Sequence, residues 1–101
     1  METTEIIARA AQAWNITAAD ITGNSRRRQC VEARHAAMYL IFMYTDANVV
    51  KTGQAVNRSH CLVNYAIIRV ADWLGRPWYR EQRARVEALA REIKNEKIKT
   101  A

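Results

Sequence analysis

Ser59, His60 and Asn64 stand close together in a stretch of the chain without acids, and each side chain can hydrogen-bond to a nucleobase edge. His60 and Asn64 are four residues apart, so on a helix they share a face, one turn from each other. A histidine ring N–H donates to a guanine acceptor, and an asparagine amide pairs with adenine in bidentate fashion. Lys51 and Arg58 flank this group as cations suited to phosphate. The same residues would also serve as the wet side of a core helix, and periodicity alone does not choose between the two.

Other chemistries find less support. Cys61 follows His60 directly, but neighbours on a helix point in different directions and no carboxylate lies within a turn to orient the pair. Core packing or a base contact fits Cys61 better than nucleophilic catalysis. The two cysteines, Cys30 and Cys61, lack metal-type spacing and read as reduced thiols. The basic centre holds no paired carboxylates, and the chain has no Gly-x-x-x-x-Gly-Lys-Ser/Thr loop to cradle a nucleotide. A non-enzymatic protein without cofactor or metal is the expectation.

Those side chains need elements to hold them. The 101 residues leave room for one domain, and half of them are apolar, enough for a packed core. Three glycines and one proline are too few turn residues for anything but long helices joined by short loops. The fold class is therefore all-α, a bundle of about six helices.

The first helix is expected over 4–14, with Ile7, Ala10, Ala11 and Trp14 on one face. Thr17 and Asp20 form a capping box for a short second helix over 18–21. Ser25 caps a third helix over 26–44, apolar nearly all round in its second half. Arg26, Arg27 and Arg28 then fall in its first turn, against the positive end of the helix dipole, and an anionic ligand there would offset the cost. A solvated loop explains three arginines equally well.

A short helix over 48–56 and another from His60 to Leu74 are joined through Asn57-Arg58, with Ser59 as the second helix's N-cap. The pair matches the helix-turn-helix pattern, whose second helix enters a DNA major groove with its N-terminal residues at the base edges. Gly75 and Pro77 stop that helix, and a last one spans 78–97. Its stripe of Tyr79, Val86, Leu89 and Ile93 suits either the core or, as a reading of another class, the seam of a helical interaction module. Trp14, Trp73 and Trp78 are expected in the core.

The formal charge of +6 fits a polyanion partner, though a solvated basic surface gives the same number. Its distribution is more telling. No acid occurs between Asp20 and Glu32 or between Asp46 and Asp72, so the middle of the chain is its electropositive part. The apolar run over 36–44 is too short to span a bilayer, and the first residues form no targeting peptide. A cytoplasmic, nucleoid-associated protein is expected.

The run Arg58-Ser59-His60-Cys61-Leu62-Val63-Asn64-Tyr65-Ala66 resembles the signature Arg-Asp-His-Thr-Thr-Val-Leu-His-Ala of the C-terminal domain of DnaA, the bacterial chromosomal replication initiator. Ser25-Arg26-Arg27-Arg28 with Val31 through Leu40 is similar to that family's basic loop and central helix, and Ile16 through Ile21 to its short second helix. The likeness covers about 8–74, with the last helix as an addition.

The resemblance implies binding to double-stranded DNA; a monomer is expected, with a dimer through the last helix as the alternative. The resemblance further implies Arg26 in the minor groove, Arg34 and His35 reaching the major groove, and Arg58, Ser59, His60, Cys61 and Leu62 at the signature of the reading helix, beside the Lys51 and Asn64 that the residues themselves offer. His35 stands where the family has glutamine, Ser59 where it has aspartate, and Cys61 and Leu62 where it has threonines. Serine cannot accept from cytosine N4 as a carboxylate does, and leucine can meet a thymine methyl but offers no hydrogen bond. The expected target therefore differs from the family's usual box. Without a nucleotide-hydrolysing domain, the chain is expected to bind a site and not to melt one, as a regulator of transcription or a competitor for initiator sites. The Met1 start and the basic last helix favour a free-standing protein.

Overall fold

Alanines at 33, 36 and 37, with Met38, Leu40 and Ile41, give the middle of the chain a helix that neighbours can approach from several sides. A computed structural model describes the backbone of residues 1–100 and the side chains of residues 1–96. It holds six helices and no strand among the described residues: α1 (Thr3–Ala13), α2 (Ala18–Thr22), α3 (Arg28–Tyr44), α4 (Val49–Ala55), α5 (His60–Gly75) and α6 (Arg80–Thr100). The small residues let α3 sit at the centre, in contact with each of the other five. Ala33, Ala36, Ala37, Leu40 and Ile41 are wholly buried, as are Val63, Ala66 and Val70 of α5, which pack against them.

Two turns are built alike. At the end of α1, Asn15 takes φ 58°, Ile16 N–H donates to Ala11 O at 2.9 Å and Asn15 N–H to Gln12 O at 3.2 Å. At the end of α4, Asn57 takes φ 59°, Arg58 N–H donates to Gly53 O at 2.8 Å and Asn57 N–H to Gln54 O at 3.2 Å. Both are Schellman closures, with asparagine tolerating the left-handed residue. In the second, the returning backbone passes so close that a β-carbon on Gly53 would lie 2.4 Å from Arg58 O. Glycine is required there by close approach.

The start of α3 differs from the expectation. Arg27 is the N-cap, with extended ψ of 143°, and the Ser25 hydroxyl accepts from Arg27 N–H instead of capping a helix begun at Arg26. Arg26 and Arg27 thus precede the helix, and Arg28 alone of the three lies in its first turn, paired with Glu32 at 3.4 Å. The dipole conflict is smaller than the sequence suggested. The capping box of α2 forms as expected, with Thr17 and Asp20 exchanging bonds of 3.0 and 3.2 Å.

Val86, Leu89 and Ile93 of α6 are buried against the chain's own α1, α3 and α5. The residues a dimer seam would need are therefore covered from within. Trp14 and Trp73 are core residues, but Trp78 is not: it is 65% exposed, ahead of α6, with the Arg76 guanidinium 5.3 Å from its ring. No helix among the described residues is long and apolar enough to cross a membrane.

Candidate nucleic-acid interface

The helix-turn-helix unit is α4, the Asn57-Arg58 turn and α5. Asn48 caps α4 through its side chain, which accepts from Lys51 N–H at 2.9 Å, and Lys51 itself faces outward. Ser59 is the N-cap of α5, but its hydroxyl makes no cap bond, so the oxygen is free to face a ligand. The α5 side chains sort by periodicity: Val63, Ala66, Val70 and Trp73 turn inward, while Ser59, His60, Cys61, Leu62 and Asn64 are all exposed. Tyr65 and Ile68 continue that outer face at 52% and 68% exposure. His60 Nε2 and Cys61 Sγ are 3.7 Å apart. Cys61 is exposed, so core packing does not account for it.

Arg34 does not take the place expected of it. It is 6% exposed, and its guanidinium runs into the α2–α3 connection. Nε donates to Ile21 O at 2.6 Å, while Nη2 is within hydrogen-bond distance of Asp20 O at 2.9 Å, Ser25 O at 3.1 Å and Gly23 O at 3.3 Å. The carbonyls of Asp20 and Ile21 belong to the end of the one-turn α2 and those of Gly23 and Ser25 to the loop after it, so none has a following helical turn to pair with. Buried polar groups need partners, and Arg34 supplies them. A side chain so enclosed is not placed to reach a base. Burial and the nearby Arg58 charge both lower its pKa.

Arg58 belongs to the same arrangement. From the α4–α5 turn, its Nη2 also donates to Gly23 O, and its Nη1 donates to Asn57 O at 2.9 Å and Val56 O at 3.4 Å. One carbonyl thus receives an arginine from α3 and another from the turn. The loop that carries Arg26 and the turn that starts α5 are joined at that point. Arg26 lies beyond it, exposed, with no hydrogen bond or ion pair among the described residues.

His35 is half-buried between α3 and α5. Its ring meets Tyr65 edge-on at 5.6 Å and lies 6.5 Å from the Trp73 ring. Burial foremost, then the charges of Arg69 and Arg34, lowers its pKa to about 4. The ring is neutral near pH 7 and packs as an aromatic side chain, in place of an outward-reaching major-groove contact.

A groove that residue spacing did not reveal opens beside His35. It runs between α3, α5 and α6, and its walls include Arg26, Arg28, His35, Tyr65, Arg69 and Tyr79. The only sequence signal for it is the four-residue step from Tyr65 to Arg69, which puts both on the flank of α5 that faces α3.

Among the described residues no three His, Cys, Asp or Glu side chains gather as metal ligands. A family model described as the bacterial DnaA protein helix-turn-helix matches residues 3–70. The chromosomal replication initiator protein DnaA of Tropheryma whipplei (strain Twist) is 38% identical over 72 residues, 71% of this chain and 15% of that protein. The initiator protein DnaA of Deinococcus deserti is 34% identical over 94 residues, 93% of this chain and 20% of its own length. That of Gloeobacter violaceus is 41% identical over 56 residues, 54% of this chain and 13% of that protein. The chain thus spans a fifth or less of the length of these relatives. The matched stretch takes in α1 through α4 and most of α5, so the turn closed at Asn57 and the helix it launches are the family's own: the chain belongs to the bacterial DnaA helix-turn-helix family.

Proposed function

We propose that this protein is a non-enzymatic, sequence-specific binder of double-stranded DNA, with the first turns of α5 in the major groove and Arg26 in the adjacent minor groove. One observation carries the reading. His60, Cys61, Leu62 and Asn64 are all exposed on the turns that follow a Schellman-closed helix-turn-helix turn, where such units meet base edges. His60 and Asn64 read base edges, Leu62 meets a thymine methyl, and Ser59 and Lys51 contact the backbone.

Arg26 is the one arginine of its run without a partner among the described residues, since Arg27 lies 3.8 Å from Asp20 and Arg28 pairs with Glu32. A narrow minor groove concentrates negative potential and favours such a free guanidinium. The DnaA kinship supports a place in replication-initiation control, by occupying initiator-type sites, or in regulating transcription near them. The protein acts on the nucleoid in the cytoplasm, as a monomer and without nucleotide.

The test is fluorescence anisotropy with labelled duplex and single-stranded pools at one stated salt concentration, because affinity for nucleic acid depends steeply on salt. Saturable binding that prefers duplex is expected. Equal affinity for single strands, or none for duplex, rejects the reading.

A further inference from the structure

We infer that the groove between α3, α5 and α6 is a seat for the DNA strand that separates the two grooves, with Arg69 as its phosphate contact. The inference rests on the binding mode proposed above. In B-form DNA a single sugar–phosphate strand lies between a major groove and the minor groove next to it. If α5 enters one and Arg26 the other, that strand must cross the surface joining them. The surface is not featureless: the groove there has Arg26 on its walls together with Tyr65 and Arg69 of α5.

The charge of this groove suits a phosphodiester. Arg26, Arg28 and Arg69 line it, with Glu32 as its one carboxylate. Glu32 is already engaged by three donors: Trp14 Nε1 at 3.1 Å, Gln82 Nε2 at 3.1 Å and Arg28 Nε at 3.4 Å. It is folded into the packing of α1, α3 and α6 and leaves the rim cationic. The Arg69 side chain is 40% exposed, and its one ion pair among the described residues, to Asp72, is loose at 4.0 Å. Tyr65 stands one turn before it with its hydroxyl available as a donor, and His35 beneath, neutral at pH 7, forms an aromatic floor against Tyr65 and Trp73. Arginines at the rim contact a phosphodiester backbone without reading its sequence.

The experiment pairs Arg69→Ala and Arg69→Lys with salt titrations on the preferred duplex and on random duplex, folding being checked by circular dichroism. Arg69→Ala is expected to weaken both duplexes by the same factor and to flatten the slope of log K against log salt by about one unit, with Arg69→Lys restoring it. Ethylation of single phosphates between the two groove contacts is expected to impair the wild type and to leave Arg69→Ala indifferent. An unchanged slope in Arg69→Ala, or the same interference pattern in both proteins, overturns the seat while leaving the binding mode in place. Absence of duplex binding by the wild type overturns both.

Discussion

Two groups of polar and cationic residues meet near the N-terminal end of α5, and they do opposite things. At the Gly23 carbonyl, Arg34 and Arg58 point inward and complete the hydrogen bonding of a loop. Along the outer turns of α5, Ser59, His60, Cys61, Leu62 and Asn64 point outward, and among the described residues their side chains show no hydrogen bond beyond the His60–Cys61 contact. The first group sets where the second can be. Tying the Arg26 loop to the α4–α5 turn fixes the distance between the two elements proposed to enter neighbouring grooves. Side-chain type did not separate these roles, because arginine serves both as a phosphate ligand and as a five-donor fork for stray carbonyls. Burial separates them.

Substitutions in the inner group should therefore act on stability, and those in the outer group on binding at unchanged stability. Arg34→Ala is expected to have the largest effect. It strands the carbonyls of Asp20, Ile21 and Ser25, leaves Gly23 O to Arg58 alone, and should cost about 3 kcal/mol or more in urea denaturation. A cost below about 1 kcal/mol would break the distinction. Gly53→Ala should follow at about 2 kcal/mol, since the added carbon meets backbone that cannot move aside.

The pH response of His35 comes next. Its folded pKa of about 4 lies below the ordinary value of 6.5, so between those values the unfolded chain binds more protons. Stability should rise with pH across that window and be lost as pH falls from neutrality toward 4. His35→Phe should remove that part of the pH dependence in denaturation curves recorded across the window. The smallest effect is expected at exposed Lys51: Lys51→Ala should leave the melting temperature unchanged, weaken all duplexes evenly and flatten the salt slope by about one unit.

Much of the scaffold was legible in the sequence because its signals are local. The Thr17–Asp20 box, the apolar stripe of α5, the Asn57-Arg58 turn and the scarcity of glycine each report on a few consecutive residues, and each corresponds to a feature of the fold. Ser25 misled for a local reason too: a serine ahead of a helix can accept from a nearby N–H in a turn as readily as cap the helix. The inward place of Arg34 is not legible in the sequence because its partners lie 9 to 14 residues back, at carbonyls whose need for donors arises only because α2 stops after one turn. His35 departs from an outward-reaching place because the step that brings Tyr65 and Trp73 over it joins α3 to α5, a long-range contact that no periodicity encodes. Trp78 is a core residue by type alone, yet it falls in the break after Gly75, where no helix face carries it inward.

The central claim is that the exposed turns at the start of α5 read base identity. Selection of the wild type and His60→Ala from one random duplex pool, at a single stated salt concentration, tests it most directly. The wild type should enrich a defined site, and His60→Ala should lose preference at one position of it, with a cost of roughly 1–3 kcal/mol on the original site and an unchanged melting temperature. Identical enriched sites for both proteins, or preference lost evenly at every position, would contradict the account.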